Sequence, residues 1–184
     1  MRIIDLTSDN EKAIEQAARL LYESFREHHP AAWPTIDDAV QEVRESLAAD
    51  RISRIAVDDD DNVIGWIGGQ PHYDGNVWEL HPLAVDEMVR GRGVGRALVN
   101  DLEAQVRARG GHTLWLGTDD ENNQTTLGNT DLYPNVWEHV RNIRNLHHHP
   151  YEFYQQLGFV IVGVLPDANG PGKPDIFMAR RISH

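Results

Sequence analysis

Cysteine is absent from all 184 residues, which excludes disulfide staples, zinc–thiolate centres and a thiol nucleophile. Long apolar runs are missing as well. Met1-Arg2-Ile3-Ile4-Asp5-Leu6 has no signal-peptide core and no stretch is long enough to span a bilayer, so a cytoplasmic protein is expected. Positive charge is scarce, with 17 Lys and Arg against 29 Asp and Glu and a formal net charge of −12. That balance argues against nucleic acid and anionic membranes as partners, because their phosphates would be repelled. It suits a cationic small molecule, and it also serves solubility. The length predicts one domain over residues 1–184, large enough for its own core.

Against this acidic background one stretch is basic and glycine-rich. Leu83-Ala84-Val85-Asp86-Glu87-Met88-Val89-Arg90-Gly91-Arg92-Gly93-Val94-Gly95-Arg96 reads as a strand, a turn and the start of a helix. Gly91, Gly93 and Gly95 let a ligand approach the backbone, and the new helix offers free N–H groups and the positive end of its dipole. Arg90, Arg92 and Arg96 add charge, so the turn is built to hold an anion such as a pyrophosphate. Gly95-Arg96-Ala97 lacks the lysine and hydroxyl of a nucleotide P-loop. Arg96 stands where a dinucleotide fingerprint needs glycine or alanine, and no early βαβ unit surrounds it. The frame Arg90-x-x-Gly93-x-Gly95 resembles the signature of the GCN5-related N-acetyltransferases. That resemblance implies acetyl-CoA as cosubstrate, with Leu83, Val85, Arg90, Gly91, Arg92, Gly93, Val94, Gly95 and Arg96 forming its site.

The rest of the pattern is α/β without linkers or repeats. Strands are predicted at Ile3–Leu6, Arg51–Val57, Val63–Gly69, Val77–Val85, His112–Gly117, Phe159–Leu165 and Asp175–Ala179. Helices are predicted over Glu11–His28, Ile36–Ala49, from Gly93 to Gly110-Gly111, and over Tyr151–Leu157, with a polar, partly helical segment near Asp119–Leu146. This order is that of the acetyltransferase fold, a mixed central sheet of about six to seven strands with a splayed central pair, flanked by helices. Asp58-Asp59-Asp60-Asp61-Asn62 reads as a solvated turn. Three consecutive histidines, His147-His148-His149, cannot all converge on one ion, so no metal is expected.

Trp78-Glu79-Leu80-His81-Pro82-Leu83 forms the second informative cluster. Period-two alternation predicts Glu79, His81 and Leu83 on one face, with Trp78 and Leu80 on the other. Pro82 cannot donate a ladder hydrogen bond, so pairing must loosen there, as at a bulge or a splayed pair. An alkylammonium must lose a proton before it attacks a thioester, and Glu79 is placed to take it directly or through water. Without cysteine, such a transfer must be direct. Tyr154 suits the departing thiolate, which needs a proton or a hydrogen bond.

Several blocks resemble the aminoglycoside 6'-N-acetyltransferases of the enterococcal chromosomal type. They include Gly75–Leu83, Leu116-Gly117-Thr118-Asp119-Asp120, Thr130-Asp131-Leu132-Tyr133, His149–Tyr154, Ile161–Gly170 and Lys173–Ile176. The resemblance runs from about Arg51 to Arg181 and is specific, because multi-residue blocks recur in order. It implies acetyl transfer from acetyl-CoA to the 6'-amine of an aminoglycoside in a ternary complex, antibiotic resistance, and a homodimer. It further implies Glu79 as base and acceptor ligand, His81 and Leu83 beside the thioester, and Tyr154 near the sulfur. Trp33, Tyr73, Asp119 and Asp120 would line the acceptor pocket. Asn122 stands where relatives carry an acidic residue, and the anion turn is richer in glycine and arginine. Two alternatives stay open: an acetyltransferase of a polyamine or protein amine, and a non-catalytic binder of acetyl-CoA or aminoglycoside. Glu79 and Tyr154 together argue against the binder, which needs neither.

Overall fold

The computed structural model describes residues 1–26 and 30–182. These residues hold seven strands flanked by helices, within the expected range. The chain divides into two compact units, Met1–Leu114 with Ile182, and Trp115–Arg181. Among the described residues no helix is long and apolar enough to cross a membrane.

In the first unit, β1 (Arg2–Asp5), β2 (Ile52–Val57), β3 (Val63–His72) and β4 (Val77–Val85) pair antiparallel in that order. Helix α1 (Glu11–Phe25) buries Ile14, Ala17, Ala18 and Leu21, the stripe its sequence spacing predicts. Its start is fixed by Asn10, whose side chain accepts the Ala13 N–H at 3.1 Å. The predicted extension to His28 lies outside the described residues. Helix α2 (Ile36–Glu45) opens on a capping box between Thr35 and Asp38. It ends short of the predicted Ala49 because Ser46 turns into the core. The Ser46 hydroxyl donates to the Val43 carbonyl at 2.6 Å and meets Ser53 Oγ at 2.8 Å, and Trp66 Nε1 donates to Ser53 Oγ. The aspartate run between β2 and β3 is a turn organised by Asp58, which accepts the N–H groups of Asp60 and Asn62.

Helix α3 (Val94–Ala108) is joined to the strands by the buried Arg54. Its guanidinium grips Asp101 of α3 at 2.7 and 3.1 Å and also Asp5 of β1. Two carboxylates satisfy a cation that could not be left unpaired inside the fold.

The pairing of β3 with β4 corrects one expectation. Ile67 pairs with Leu83, but Gly69 pairs with Leu80, so Gly68 stands against both His81 and Pro82. The strand thus carries a bulge where Pro82 foretold loosened pairing, and the His81–Pro82 peptide is cis. One extra residue reverses the alternation beyond it. Gly65 and Gly69 face α3, since a Cβ at either would press on Val94 and Leu98 or on Leu102. Their partners Val85 and Leu80 share that face, and so does Leu83 opposite Ile67. Trp66 and Ala84 instead join the core formed with α1 and α2. Glu79 and His81 therefore face α1 and α2, whereas Leu83 faces α3; the three do not share a face.

The second unit holds most of β5 (Thr113–Asp119), α4 (Val136–Arg141), α5 (Tyr151–Gln156), β6 (Val160–Leu165) and β7 (Asp175–Arg181). Strands β6 and β7 pair antiparallel with an irregularity between Ile161 and Gly163. Leu116, Leu127, Leu132, Phe159, Ile176 and Met178 are buried here. Trp115 packs edge-on against Phe177 with ring centroids 5.8 Å apart, as its place in a strand predicts. Trp137, by contrast, is 64% exposed on α4.

Gly68 is where this arrangement tolerates least change. A Cβ there would overlap the His81 carbonyl oxygen, which belongs to rigid backbone. Gly68→Ala should cost about 1–3 kcal/mol in urea denaturation through overpacking. An unchanged midpoint would mean that β4 yields freely at the bulge.

Candidate active site

The anion turn follows β4. Asp86 accepts the Met88 N–H at 2.8 Å and starts a single tight turn over Glu87–Val89. Arg90 returns to strand β4, its Nε donating to the Val85 carbonyl at 3.3 Å. Gly91 and Gly93 adopt φ of 75° and 87°, a left-handed backbone that side chains resist, and a Cβ at either would touch nothing within 4 Å. Glycine is thus required here by conformation, and the space beside it is open. Gly93 caps α3 with no side-chain hydrogen bond, so the first helical N–H groups are available to an anion. Arg90, Arg92 and Arg96 are exposed around them, while Val94 is buried and anchors the helix start. These features fit the pyrophosphate of a coenzyme A thioester.

The other face of β4 carries the ionisable pair. Glu79 is half-buried, and its Oε2 lies 2.9 Å from His72 Nε2. His72 ends β3 two positions past Gln70, which pairs directly with Glu79, so the contact is diagonal on one face. His81 lies further along the same face. Its ring centroid is 5.9 Å from that of Trp33, which is itself 5.0 Å from Phe25 in an edge-on contact. Trp33, His81, Glu79 and His72 thus line the α1–α2 side of the strand pair. Tyr73 follows His72 and is 80% exposed in a turn where Tyr73, Asp74 and Gly75 have φ of 50°, 56° and 82°. Two consecutive non-glycine residues in that region are strained, a condition that gathers at functional sites.

Sequence reasoning missed His72. The signal was present: Asp74-Gly75 marks a turn, and pairing the flanking strands across it sets His72 diagonal to Glu79.

In the second unit Asp119 and Asp120 do different things. Asp120 is fully buried, with Oδ1 accepting the Gln124 N–H and Oδ2 accepting the Thr125 N–H and hydroxyl. Its carboxylate shapes the loop that follows. Asp119 is half-buried and accepts from the Asn169 amide. Asn122 is exposed on the same loop. Of the histidine run, only His149 is buried. Its Nε2 meets the Asp119 carbonyl at 3.1 Å and must donate, while Nδ1 accepts the Tyr151 N–H at 3.2 Å. These partners define a neutral tautomer that fastens the loop to α5. Asp131 accepts the Tyr133 N–H at 3.2 Å and orders its own turn.

Tyr154 lies on α5 between the rings of Phe153 and Phe159, at 5.1 and 5.7 Å. Burial pushes its phenol well above the ordinary tyrosine value.

Comparison with known proteins places this geometry. The acetyltransferase (GNAT) family matches residues 18–128. An aminoglycoside 6'-N-acetyltransferase solved with coenzyme A is 43% identical, with a TM-score of 0.91 over 100% of this chain and 98% of that one. The aminoglycoside 6'-N-acetyltransferase from Enterococcus faecium is likewise 43% identical, with a TM-score of 0.89 and the same coverage. An aminoglycoside 6'-acetyltransferase of type Ii is 37% identical, with a TM-score of 0.75 over 100% and 99% of the two chains. No curated protein matches the sequence. The family match over residues 18–128 and the full-length identity show the same thing: the chain belongs to the acetyltransferase (GNAT) family, among the aminoglycoside 6'-N-acetyltransferases.

Proposed function

We propose that this chain moves the acetyl group of acetyl-CoA directly to the 6'-amine of aminoglycosides, and so confers resistance to them. Residues 1–184 act as one N-acetyltransferase domain, a reading supported by relatives that match over the whole chain. The observation that carries the reading is the division of β4 at its bulge. Upstream, Glu79 and His81 face α1 and α2; downstream, Leu83 and Val85 face α3 and lead into the anion turn. The acceptor is assigned to the first side and the cosubstrate to the second.

Bound acetyl-CoA supplies an activated acetyl thioester. Glu79 takes a proton from the acceptor ammonium, freeing the nitrogen to bond to the acetyl carbon as the carbon–sulfur bond breaks. The electron pair leaves on sulfur, and the second proton that the nitrogen sheds as the amide forms neutralises the thiolate. Tyr154 is assigned to that sulfur by family resemblance, and its protonation state suits the role. Its phenol holds its proton far more tightly than a thiol of ordinary pKa ~8.5, so Tyr154 acts as a hydrogen-bond donor and keeps its proton. Trp33 and Tyr73 supply aromatic surface to the acceptor, while Asp119 attracts its ammonium groups. Asp120 contributes through the loop it holds.

The homodimer belongs to this proposal too. Trp137, Val160, Val162 and Leu165 are exposed on the second unit, apolar surface that a second copy would cover. A cytoplasmic location follows from dependence on acetyl-CoA.

CoA release is expected with kanamycin, which carries a 6'-amine, and not with a matched aminoglycoside bearing a 6'-hydroxyl. Release with spermidine or a peptide amine alone would move the chain to the polyamine or protein-amine reading. Glu79→Ala should lower kcat by about 10²–10⁴ while leaving the Kd for acetyl-CoA unchanged; equal turnover would remove Glu79 as base. For Tyr154 the raised pKa sets a stability prediction. Below about pH 10 the phenol is neutral folded and unfolded alike, and its packing contribution is fully present. Above that, the unfolded chain ionises while the buried phenol does not, so stability is lost as pH rises. The stability advantage of wild type over Tyr154→Phe should therefore shrink from pH 9 to pH 11 in urea titrations, and a constant difference would contradict the burial of the phenol.

A further inference from the structure

We infer that His72 is a positioning residue for the general base: its imidazole holds Glu79 in the rotamer that presents the other carboxylate oxygen to the acceptor amine. This role rests on the acetyl-transfer reading and deepens it, because neither the family resemblance nor the comparisons assign His72 a part.

The geometry is specific. His72 Nε2 and Glu79 Oε2 are 2.9 Å apart, and among the described residues His72 is the hydrogen-bond partner of that carboxylate. A carboxylate only accepts, so Nε2 donates. Charge-assisted hydrogen bonds of this kind are stronger than neutral ones and fix direction as well as distance. A glutamate otherwise has three freely rotating side-chain torsions, and the rate of proton transfer depends on holding the acceptor oxygen within reach of the ammonium.

The backbone around His72 supports the same role. His72 is the last residue of β3, and the strained residues Tyr73 and Asp74 follow it immediately. Asn76 secures this turn by donating its side-chain amide to the Tyr73 carbonyl at 2.8 Å. The turn returns the chain as β4 with Val77 opposite His72, which brings Glu79 diagonal to it. Tyr73 is directed out of the hairpin, 80% exposed, while His72 stays against the carboxylate. Strain at the tip thus accompanies a fixed His72–Glu79 register, as expected where a turn serves a site and not only a connection.

The test uses the full-length enzyme with kanamycin and acetyl-CoA. Wild-type turnover first establishes the acetyl-transfer reading; its absence would overturn that reading and the positioning role together. With wild type active, His72→Ala should lower kcat about ten-fold or more, leaving the KM for acetyl-CoA and the thermal midpoint near wild type. His72→Gln keeps a neutral N–H donor and should recover most of the lost kcat, whereas His72→Phe, which fills the space without donating, should not. In a Glu79→Gln background, His72→Ala should add no further loss, because the group it positions is gone. Additive losses in the double variant, or equal kcat for His72→Gln and His72→Phe, would overturn the positioning role. If His72→Ala lowers the midpoint, the Gln-against-Phe comparison still decides, since both fill the site.

Discussion

The contact on which the site depends is the approach of Gly68 to the His81–Pro82 backbone. No side chain fits between the two strands at that point, and the bulge it permits sets the orientation of every residue after it. Without the extra residue, Leu83 would share a face with Glu79, and strand β4 would present one continuous surface. With it, one strand serves two chemistries. Its first half shows a carboxylate and an imidazole to one side. Its second half shows aliphatic side chains to the other and delivers the chain to the glycine-rich turn before α3.

Charge is divided in a matching way. A chain of net charge −12 would repel a polyphosphate almost anywhere on its surface. Arg90, Arg92 and Arg96 gather positive charge around the uncapped start of α3, and that helix is tied to the strands by the Arg54–Asp101 pair. On the proposed function, the acidic remainder would draw a polycationic acceptor. What the bulge separates is the Glu79 and His81 side of β4 from the Leu83 and Val85 side that leads into the basic turn.

Much of this was legible in the sequence. The α1 stripe of Ile14, Ala17, Ala18 and Leu21, the Asp58 turn and the β4 limits appear where pattern and turn chemistry put them. The glycine-rich turn before α3 was legible because glycines with positive φ leave a direct mark. Pro82 announced the loosened pairing, but not its consequence: alternation rules assume a regular ladder, and only the partner register reveals the added residue. His72 becomes visible only when the hairpin that Asp74-Gly75 marks is closed, because that pairing is what sets it diagonal to Glu79. The early end of α2 could not be read either, because it depends on Ser46 meeting Ser53, a tertiary contact. Asp119 and Asp120 looked equivalent; burial alone separates the residue that can meet a ligand from the one that shapes the loop.

That separation bears on how acceptor preference can drift. Asp120 fastens the start of its loop through Gln124 and Thr125, and His149 fastens the Asp119 carbonyl from the other side. Between these fixed points Asn122 and Asn123 stand exposed at the surface. If the loop meets the acceptor as proposed, substitutions there would alter the charge offered to it, while the buried carboxylate and imidazole go on holding the scaffold. A loop built in this way can change its exposed residues by single steps, each one leaving the fold beneath it intact.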